Sequence, residues 1–127
     1  MSFVLINPAL VELIHDKVLY PNELKGLAKD KSLESALARV ENRLAYGLIE
    51  DVFDLASAYA AAVSQGHCFN DGNKRTAFFV MDTFLDLNNS NIKWDTEEVG
   101  QKIILLAQSK LSDEQLAQWL REKARTY

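Results

Sequence analysis

The sequence has little cysteine, proline or glycine, and each shortage excludes a class of protein. The 127 residues include one cysteine, two prolines and five glycines. A single cysteine, Cys68, cannot form an internal disulfide, which favours a reducing compartment. So few prolines and glycines leave no linker-like tract, and no internal repeat is present. We therefore expect one domain that spans residues 1–127.

Membrane segments and basic tracts are also missing. No apolar run approaches the roughly 18 residues that a membrane-crossing helix needs. Residues 1–8 have no basic segment ahead of an apolar stretch, so no signal peptide is expected. The formal net charge is −4, whereas a nucleic-acid binder normally presents a basic patch or stripe. These absences predict a cytoplasmic protein that binds neither a membrane nor, directly, a nucleic acid.

Helical patterns begin near the start of the chain. Asn7 and Pro8 have the pattern of an N-cap followed by proline at the first helical position. Ser32 is a weaker start for a second helix. Residues 20–30 are irregular, and residues 91–94 are the one candidate for an extended segment. The apolar stripe predicted for the first helix consists of Leu10, Leu13, Ile14 and Val18.

Four further helices follow from apolar spacing and capping boxes. Apolar residues at helical spacing run from Leu48 to Gln65, and Gly66 is expected to end this helix with a positive φ. Another helix is expected over residues 73–87, and its run at 77–81 is apolar nearly all round, as in a helix buried at the centre of a bundle. The segments 95–98 and 112–115 are capping boxes that start the last two helices. The fold class predicted is all-α, with six helices.

A polar segment, HCFNDGNKRT, separates the two most hydrophobic helices at residues 67–76. Gly72 lets the backbone approach a ligand closely, and the start of the next helix offers free N–H groups to an anion. Lys74 and Arg75 add positive charge there, which is unfavourable unless an anion is bound. These features predict a phosphate site.

Two other residues of this segment predict a reaction. Asp71 supplies a carboxylate oxygen of the kind that Mg²⁺ binds. An imidazole such as that of His67 can accept a proton from a hydroxyl near neutral pH. A base, a metal ligand and a phosphate cradle suggest phosphoryl or nucleotidyl transfer. Neither a P-loop nor the H-R-D and D-F-G signatures of protein kinases are present.

Residues 67–75, HCFNDGNKR, resemble the H-x-F-x-[DN]-[AG]-N-K-R signature of Doc toxins, within the Fic/Doc superfamily. Residues 26–37, GLAKDKSLESAL, are similar to an upstream segment of the family. The resemblance covers essentially the whole chain. It implies a compact six-helix bundle in which the active-site loop leads into a buried central helix.

The resemblance also implies roles for individual residues. His67 would be the general base on a hydroxyl of a protein target, Asp71 would hold Mg²⁺, and Phe69 would anchor the loop by burying its ring. The phosphates of ATP would be held by four consecutive residues: Gly72, Asn73, Lys74 and Arg75.

Two departures from the wider Fic pattern bear on the type of reaction. Fic adenylyltransferases resemble H-x-F-x-[DE]-G-N-G-R-x-x-R, but here Lys74 replaces the second glycine and Phe78 stands at the last arginine. Losing that arginine removes a planar, bidentate phosphate clamp. Doc toxins share both changes and are kinases that phosphorylate a threonine of elongation factor Tu, which arrests translation. A kinase of this type is preferred; the alternatives are an AMP transferase and a non-catalytic helical binding module.

The resemblance further implies a separate inhibitor. Self-restrained Fic enzymes carry an [ST]-x-x-x-E-[GN] helix, but here Leu37 stands where Ser or Thr should precede Glu41 and Asn42. The usual restraint in the family is an antitoxin, a segment of which docks as a helix in a groove of the toxin. We therefore expect an antitoxin partner.

The other reactive side chains have simpler interpretations. His15, beside Asp16 on an amphipathic helix, is expected to lie at the surface or line a groove. Cys68 is expected to be a small, partly buried residue. A zinc site made from His15, His67 and Cys68 lacks the usual ligand number and spacing.

Overall fold

The computed structural model of the chain describes residues 2–126. Over this range the chain forms six α-helices and no strand; one antiparallel bridge joins Leu27 to Phe69. The predicted all-α fold is confirmed. None of these helices is both long enough and apolar enough to span a membrane. The helices are α1 (Pro8–Val18), α2 (Leu33–Ala45), α3 (Val52–Gly66), α4 (Asn73–Leu87), α5 (Thr96–Ala107) and α6 (Asp113–Thr126).

The predicted N-caps are present. The side chain of Asn7 accepts a hydrogen bond from the N–H of Leu10, with proline at the start of α1. Ser112 and Gln115 form a reciprocal capping box, because the side chain of each accepts a bond from the backbone N–H of the other. Ser32 and Asp95 cap α2 and α5 through their side chains. These helix starts follow from contacts within three residues of the chain.

The start predicted for α3 was wrong by one turn. Leu48 is 63% exposed and precedes the helix, which begins at Val52. Asp51 sets this start, because its carboxylate accepts hydrogen bonds from the N–H groups of Phe53 and Asp54. Apolar spacing alone extended the helix too far, since it did not weigh the capping residue.

The end of α3 also differs from the prediction. Gly66 is the last helical residue, and the left-handed conformation belongs to His67, with a φ of 49°. The glycine relieves crowding instead, since a Cβ there would lie 3.1 Å from the Sγ of Cys68, a tight contact. The C-terminal residue of α3 is therefore helical, and the backbone turns at His67.

The face of α1 that packs on the core was predicted one position away. Val11 and His15 are buried, whereas Leu13 is 51% exposed. Leu10 and Ile14 are partly buried against the core, as expected. The buried face of α1 therefore includes residues 11 and 15. The pattern of apolar residues did not predict it, because one of these two residues is a histidine.

Helices α3 and α4 form the centre of the bundle. Helix α3 packs against α2, α4, α5 and α6, and α4 also packs against α1. The rings of Tyr59 and Phe84 lie 5.3 Å apart between the central helices, and the N–H of Ile6 donates to the hydroxyl of Tyr59. The polar turn at residues 67–72 connects these two helices, so both of its ends are held by the core.

Candidate active site

The motif turn (residues 67–72), the start of α4 and part of α5 enclose a cavity of about 360 Å³, called here the motif cavity. A larger cavity of about 690 Å³ lies between α2, α3 and the start of α6, but its lining contains no histidine. The chemistry therefore points to the smaller one. Arg75 does not line the motif cavity, but the other five of the six predicted site residues do. They are His67, Asp71, Gly72, Asn73 and Lys74.

His67 lies at the end of α3 in a left-handed conformation that non-glycine residues rarely adopt. This conformation costs about 1–3 kcal/mol, so the surrounding packing must maintain it. The next two residues, Cys68 and Phe69, are both buried. The imidazole itself is exposed and has no hydrogen-bond partner within residues 2–126. Its ring nitrogens are thus available to a ligand.

Phe69 and Asn73 hold the turn together. The ring of Phe69 is buried, as expected of an anchor. The side-chain amide of Asn73 donates to the carbonyl of Phe69 at 2.8 Å and accepts from its N–H at 3.1 Å. The turn therefore uses the side-chain oxygen and one of the two N–H groups of this amide, which leaves the second side-chain N–H and the backbone N–H of Asn73 for an anion.

Asp71 and Gly72 form the end of the turn. One carboxylate oxygen of Asp71 accepts a hydrogen bond from the N–H of Leu24 at 2.8 Å. Gly72 is the N-cap of α4, has a φ of 77°, and provides no side-chain cap. The first N–H groups of α4 therefore face an open position where an anion is favoured.

Asp71 fits a metal ion that arrives with phosphate. It is the one carboxylate in the lining of the motif cavity, and residues 2–126 contain no group of three or more side chains that could bind a metal. Mg²⁺ usually takes one or two carboxylates together with phosphate oxygens and water. This donor set suits a nucleotide-bound Mg²⁺ and not a metal held by protein ligands alone.

His15 contradicts its expected place at the surface or in a groove. It is 1% exposed, and its ring stacks on that of Phe69 with centroids 3.8 Å apart and an angle of 8° between planes. Its Nε2 lies 2.8 Å from the carbonyl oxygen of Asp71. Sequence reasoning missed this residue, although its spacing of four from Val11 was a signal that it shares the buried face of α1.

Arg75 points away from the motif cavity. Its guanidinium donates to the carbonyl of Val18 and to both carboxylate oxygens of Glu23, and it lies 3.8 Å above the ring of Tyr20. The hydrogen bond from Arg75 lowers the pKa of Glu23. In this arrangement Arg75 ties the chain after α1 to α4, and its phosphate-binding role remains a prediction.

The irregular segment at 20–30 is bonded to the motif turn. The N–H of Ala28 donates to the carbonyl of Cys68 at 2.7 Å, and the N–H of Asn70 donates to the carbonyl of Gly26 at 3.3 Å. The amide of Asn70 also donates to the carbonyl of Lys25. This pairing is a structural reason for the upstream sequence similarity, since the segment forms one wall of the turn.

Cys68 has no catalytic environment. It is buried and is not among the residues that line the motif cavity. Burial raises the pKa of its thiol, which disfavours the reactive thiolate. It is more fully buried than expected.

An apolar groove adjoins the motif cavity. Its volume is about 590 Å³, and it shares Lys74 and Ile104 with the cavity. Phe79 and Ile104, both 39% exposed, face solvent there. The groove is also lined by Tyr20, Arg75, Phe78, Thr96, Val99, Gly100 and Ile103.

Comparison with known proteins identifies the family of this chain. The model of the Fic/DOC family matches residues 5–85, a range that contains the motif turn and most of α4. The chain is also similar to "Protein kinase doc" of Escherichia phage P1, with 32% identity over 117 residues, which is 91% of this chain and 92% of that protein. The chain belongs to the Fic/DOC family.

Proposed function

We propose that this protein is an ATP-dependent kinase that phosphorylates a hydroxyl of a protein target. The observation that carries the proposal is that His67 and Asp71 line one cavity at the uncapped start of α4. The similarity to a relative named as a protein kinase over nearly the full length of both chains supports it.

The residues of the cavity have complementary tasks in this reaction. The phosphates of ATP bind the backbone N–H groups of Gly72 and Asn73 and the ammonium of Lys74. Asp71 would hold the Mg²⁺ that accompanies ATP, and that ion would neutralise part of the phosphate charge. Arg75 also belongs to the proposed phosphate site. To act there, its guanidinium must break its hydrogen bonds to Glu23 and form new ones to a phosphate oxygen.

His67 takes the proton of the target hydroxyl on a ring nitrogen. The hydroxyl oxygen forms a bond to the γ-phosphorus, the bond from that phosphorus to the β–γ bridging oxygen breaks, and ADP leaves. Phosphoryl transfer depends mainly on positioning and charge neutralisation. The base, the carboxylate and the phosphate-binding groups of this short turn supply both.

The surroundings of Phe78 favour phosphoryl transfer over AMP transfer. Its ring packs edge-on against Phe79 and Trp94, with centroids 5.0 and 5.6 Å away, and it lines the apolar groove and not the motif cavity. Position 78, which holds an arginine that clamps phosphate in Fic adenylyltransferases, therefore cannot bind phosphate in this chain. Lys74 lines the cavity at the position of the second Fic glycine.

Labelled ATP separates the two reactions. The protein is incubated with its target and with ATP labelled at either the α- or the γ-phosphate. Label transferred from the γ position is expected, and it should disappear with His67→Ala. Transfer from the α position alone would reject the kinase. Growth inhibition that survives His67→Ala would instead favour the non-catalytic binding module.

The target proposed from the family resemblance is a threonine of elongation factor Tu, whose modification would arrest translation in the cytoplasm. The test is incubation of purified elongation factor with the protein and Mg·ATP, followed by mapping of phosphorylated residues by mass spectrometry. A phosphothreonine that requires His67 is expected. No modification of the purified factor would assign the activity to another protein.

The apolar groove is the proposed docking site of an antitoxin segment that binds as a helix. Its occupant would lie over Lys74 and Ile104, which also line the motif cavity, and so would obstruct the site. Phe79→Asp should weaken antitoxin binding and abolish rescue of growth. Leu87→Asp is the matched control, because Leu87 is exposed on the same helix but does not line the groove. Equal effects of both variants would place the antitoxin elsewhere.

A further inference from the structure

His15 contacts the motif turn in two ways. Its ring stacks on the anchor residue Phe69, and its Nε2 lies 2.8 Å from the carbonyl oxygen of Asp71. A carbonyl oxygen can only accept, so Nε2 must carry the hydrogen and donate it. The other ring nitrogen, Nδ1, lies 3.9 Å from a carboxylate oxygen of the exposed Asp16.

The bond to Asp71 determines the direction of the next N–H group. The peptide between Asp71 and Gly72 is trans, since no cis peptide occurs in the part of the chain that the structure describes. In a planar trans peptide the C=O and the following N–H point in opposite directions. Because the C=O of Asp71 points toward α1, the N–H of Gly72 points away from α1.

The motif cavity borders this peptide but does not reach α1. Its lining includes Asp71 and Gly72 but no residue of α1. The N–H of Gly72 is therefore directed to the region where the phosphates would bind. A glycine tolerates more than one orientation of the peptide before it, so the turn needs a contact that selects this orientation.

We propose that His15 is a positioning residue that holds the Asp71–Gly72 peptide so that the N–H of Gly72 faces the bound phosphates. The proposal rests on the proposed function for the identity of the ligand. Its structural part concerns the turn alone and can be tested separately. A phenylalanine at position 15 would keep a stacked ring but remove the donor. A glutamine would keep a nitrogen donor at a similar reach but remove the ring.

The first test measures the turn without any assay of activity. In the ¹H–¹⁵N spectrum, the imidazole of His15 should carry its hydrogen on Nε2, and the amide resonance of Gly72 should shift when Mg·ATP is added. In His15→Phe the Gly72 amide should move in the absence of nucleotide, whereas in His15→Gln it should stay near its wild-type position. A hydrogen on Nδ1 alone, or a Gly72 amide unchanged in His15→Phe, would overturn the proposal.

The second test separates an effect on ATP binding from an effect on the chemical step. His15→Phe should raise KM for Mg·ATP about tenfold while kcat changes less than about twofold, because His67 is untouched. His15→Gln should restore KM to within about twofold of wild type. Val11→Ala is the control, since Val11 is buried on the same face of α1 and does not contact the turn through a polar group. It should lower Tm and leave KM unchanged.

The outcomes separate the two proposals. Equal KM values for His15→Phe and wild type would reject the positioning role, as would equal losses in the phenylalanine and glutamine variants. A wild-type protein that transfers no phosphate would refute the proposed function, and the Gly72 amide would still decide the role of His15. If His15→Phe does not fold, the hydrogen position in the wild type and the Gly72 amide in His15→Gln decide it.

Discussion

Arg75 and Glu23 form a two-pronged ion pair, with Nη1 to Oε1 at 2.9 Å and Nη2 to Oε2 at 3.3 Å. The pair joins α4 to the chain that follows α1, although 52 residues separate its partners. It therefore links the start of the central helix, where phosphate is expected to bind, to a segment that sequence patterns described only as irregular.

We expect this pair to make the stability of the fold depend on pH. The hydrogen bond from Arg75 lowers the pKa of Glu23 below its ordinary value of 4.5. A lowered pKa in the folded state means that the contribution is complete above the ordinary value and is lost as pH falls through the lower one. We expect the difference in unfolding free energy between wild type and Glu23→Gln to be constant above about pH 5.5 and to shrink at lower pH. Urea unfolding at several pH values measures it, and a difference that grows on acidification would contradict the assignment.

The same pair tests the phosphate role of Arg75. As a phosphate ligand, Arg75 competes between Glu23 and ATP. We then expect Arg75→Ala to raise KM for Mg·ATP by about tenfold and Glu23→Gln to lower it, because the guanidinium is released. Steady-state kinetics at fixed target concentration provide the measurement. If both variants raise KM, Arg75 serves to anchor the segment at 20–23, and phosphate binding rests on the start of α4 and Lys74.

Substitutions of Asn73 should affect the stability of the fold and the binding of phosphate in different orders. In Asn73→Asp the acceptor for the N–H of Phe69 remains and the donor to its carbonyl is lost, which should cost about 1 kcal/mol of unfolding free energy. The added negative charge at the start of α4 repels phosphate. KM for Mg·ATP should therefore rise further in Asn73→Asp than in Asn73→Ala, even though the alanine variant loses both hydrogen bonds. The reverse order of KM would contradict an anion site there.

Asp51 tests the cap that sets the start of α3. Its carboxylate accepts from two backbone N–H groups and from Arg121. Burial raises its pKa, but the hydrogen bonds from Arg121 and from the N–H of Asp54 outweigh burial and lower it. Asp51→Ala should lower the free energy of unfolding by about 1–2 kcal/mol.

Asp51→Asn is the matched variant, because it retains an oxygen for the cap and loses the charge. It should be intermediate at neutral pH, and its difference from wild type should shrink as pH falls through the lowered pKa. Equal unfolding free energies for the alanine and asparagine variants would show that the cap contributes nothing.

Sequence patterns determined the features that depend on neighbours in the chain. Asn7 and Ser112 begin helices through bonds to residues three positions away, so their roles were predictable from spacing. The motif could also be read directly, because its polar residues are contiguous and its flanking helices are strongly apolar. The cluster of five motif residues around one cavity follows from that contiguity.

Tertiary structure decided what depends on contacts between distant segments. His15 packs on Asp71 across 56 residues, and Arg75 pairs with Glu23 across 52, so spacing along the chain could not place either side chain. The backbone turn falls at His67 and not at Gly66, where a Cβ would lie 3.1 Å from the Sγ of Cys68. Hydrogen bonds within a helical turn depend on residues that are neighbours in the sequence. The position of a buried side chain depends instead on the residues that pack against it in the folded protein, which are often distant in the sequence.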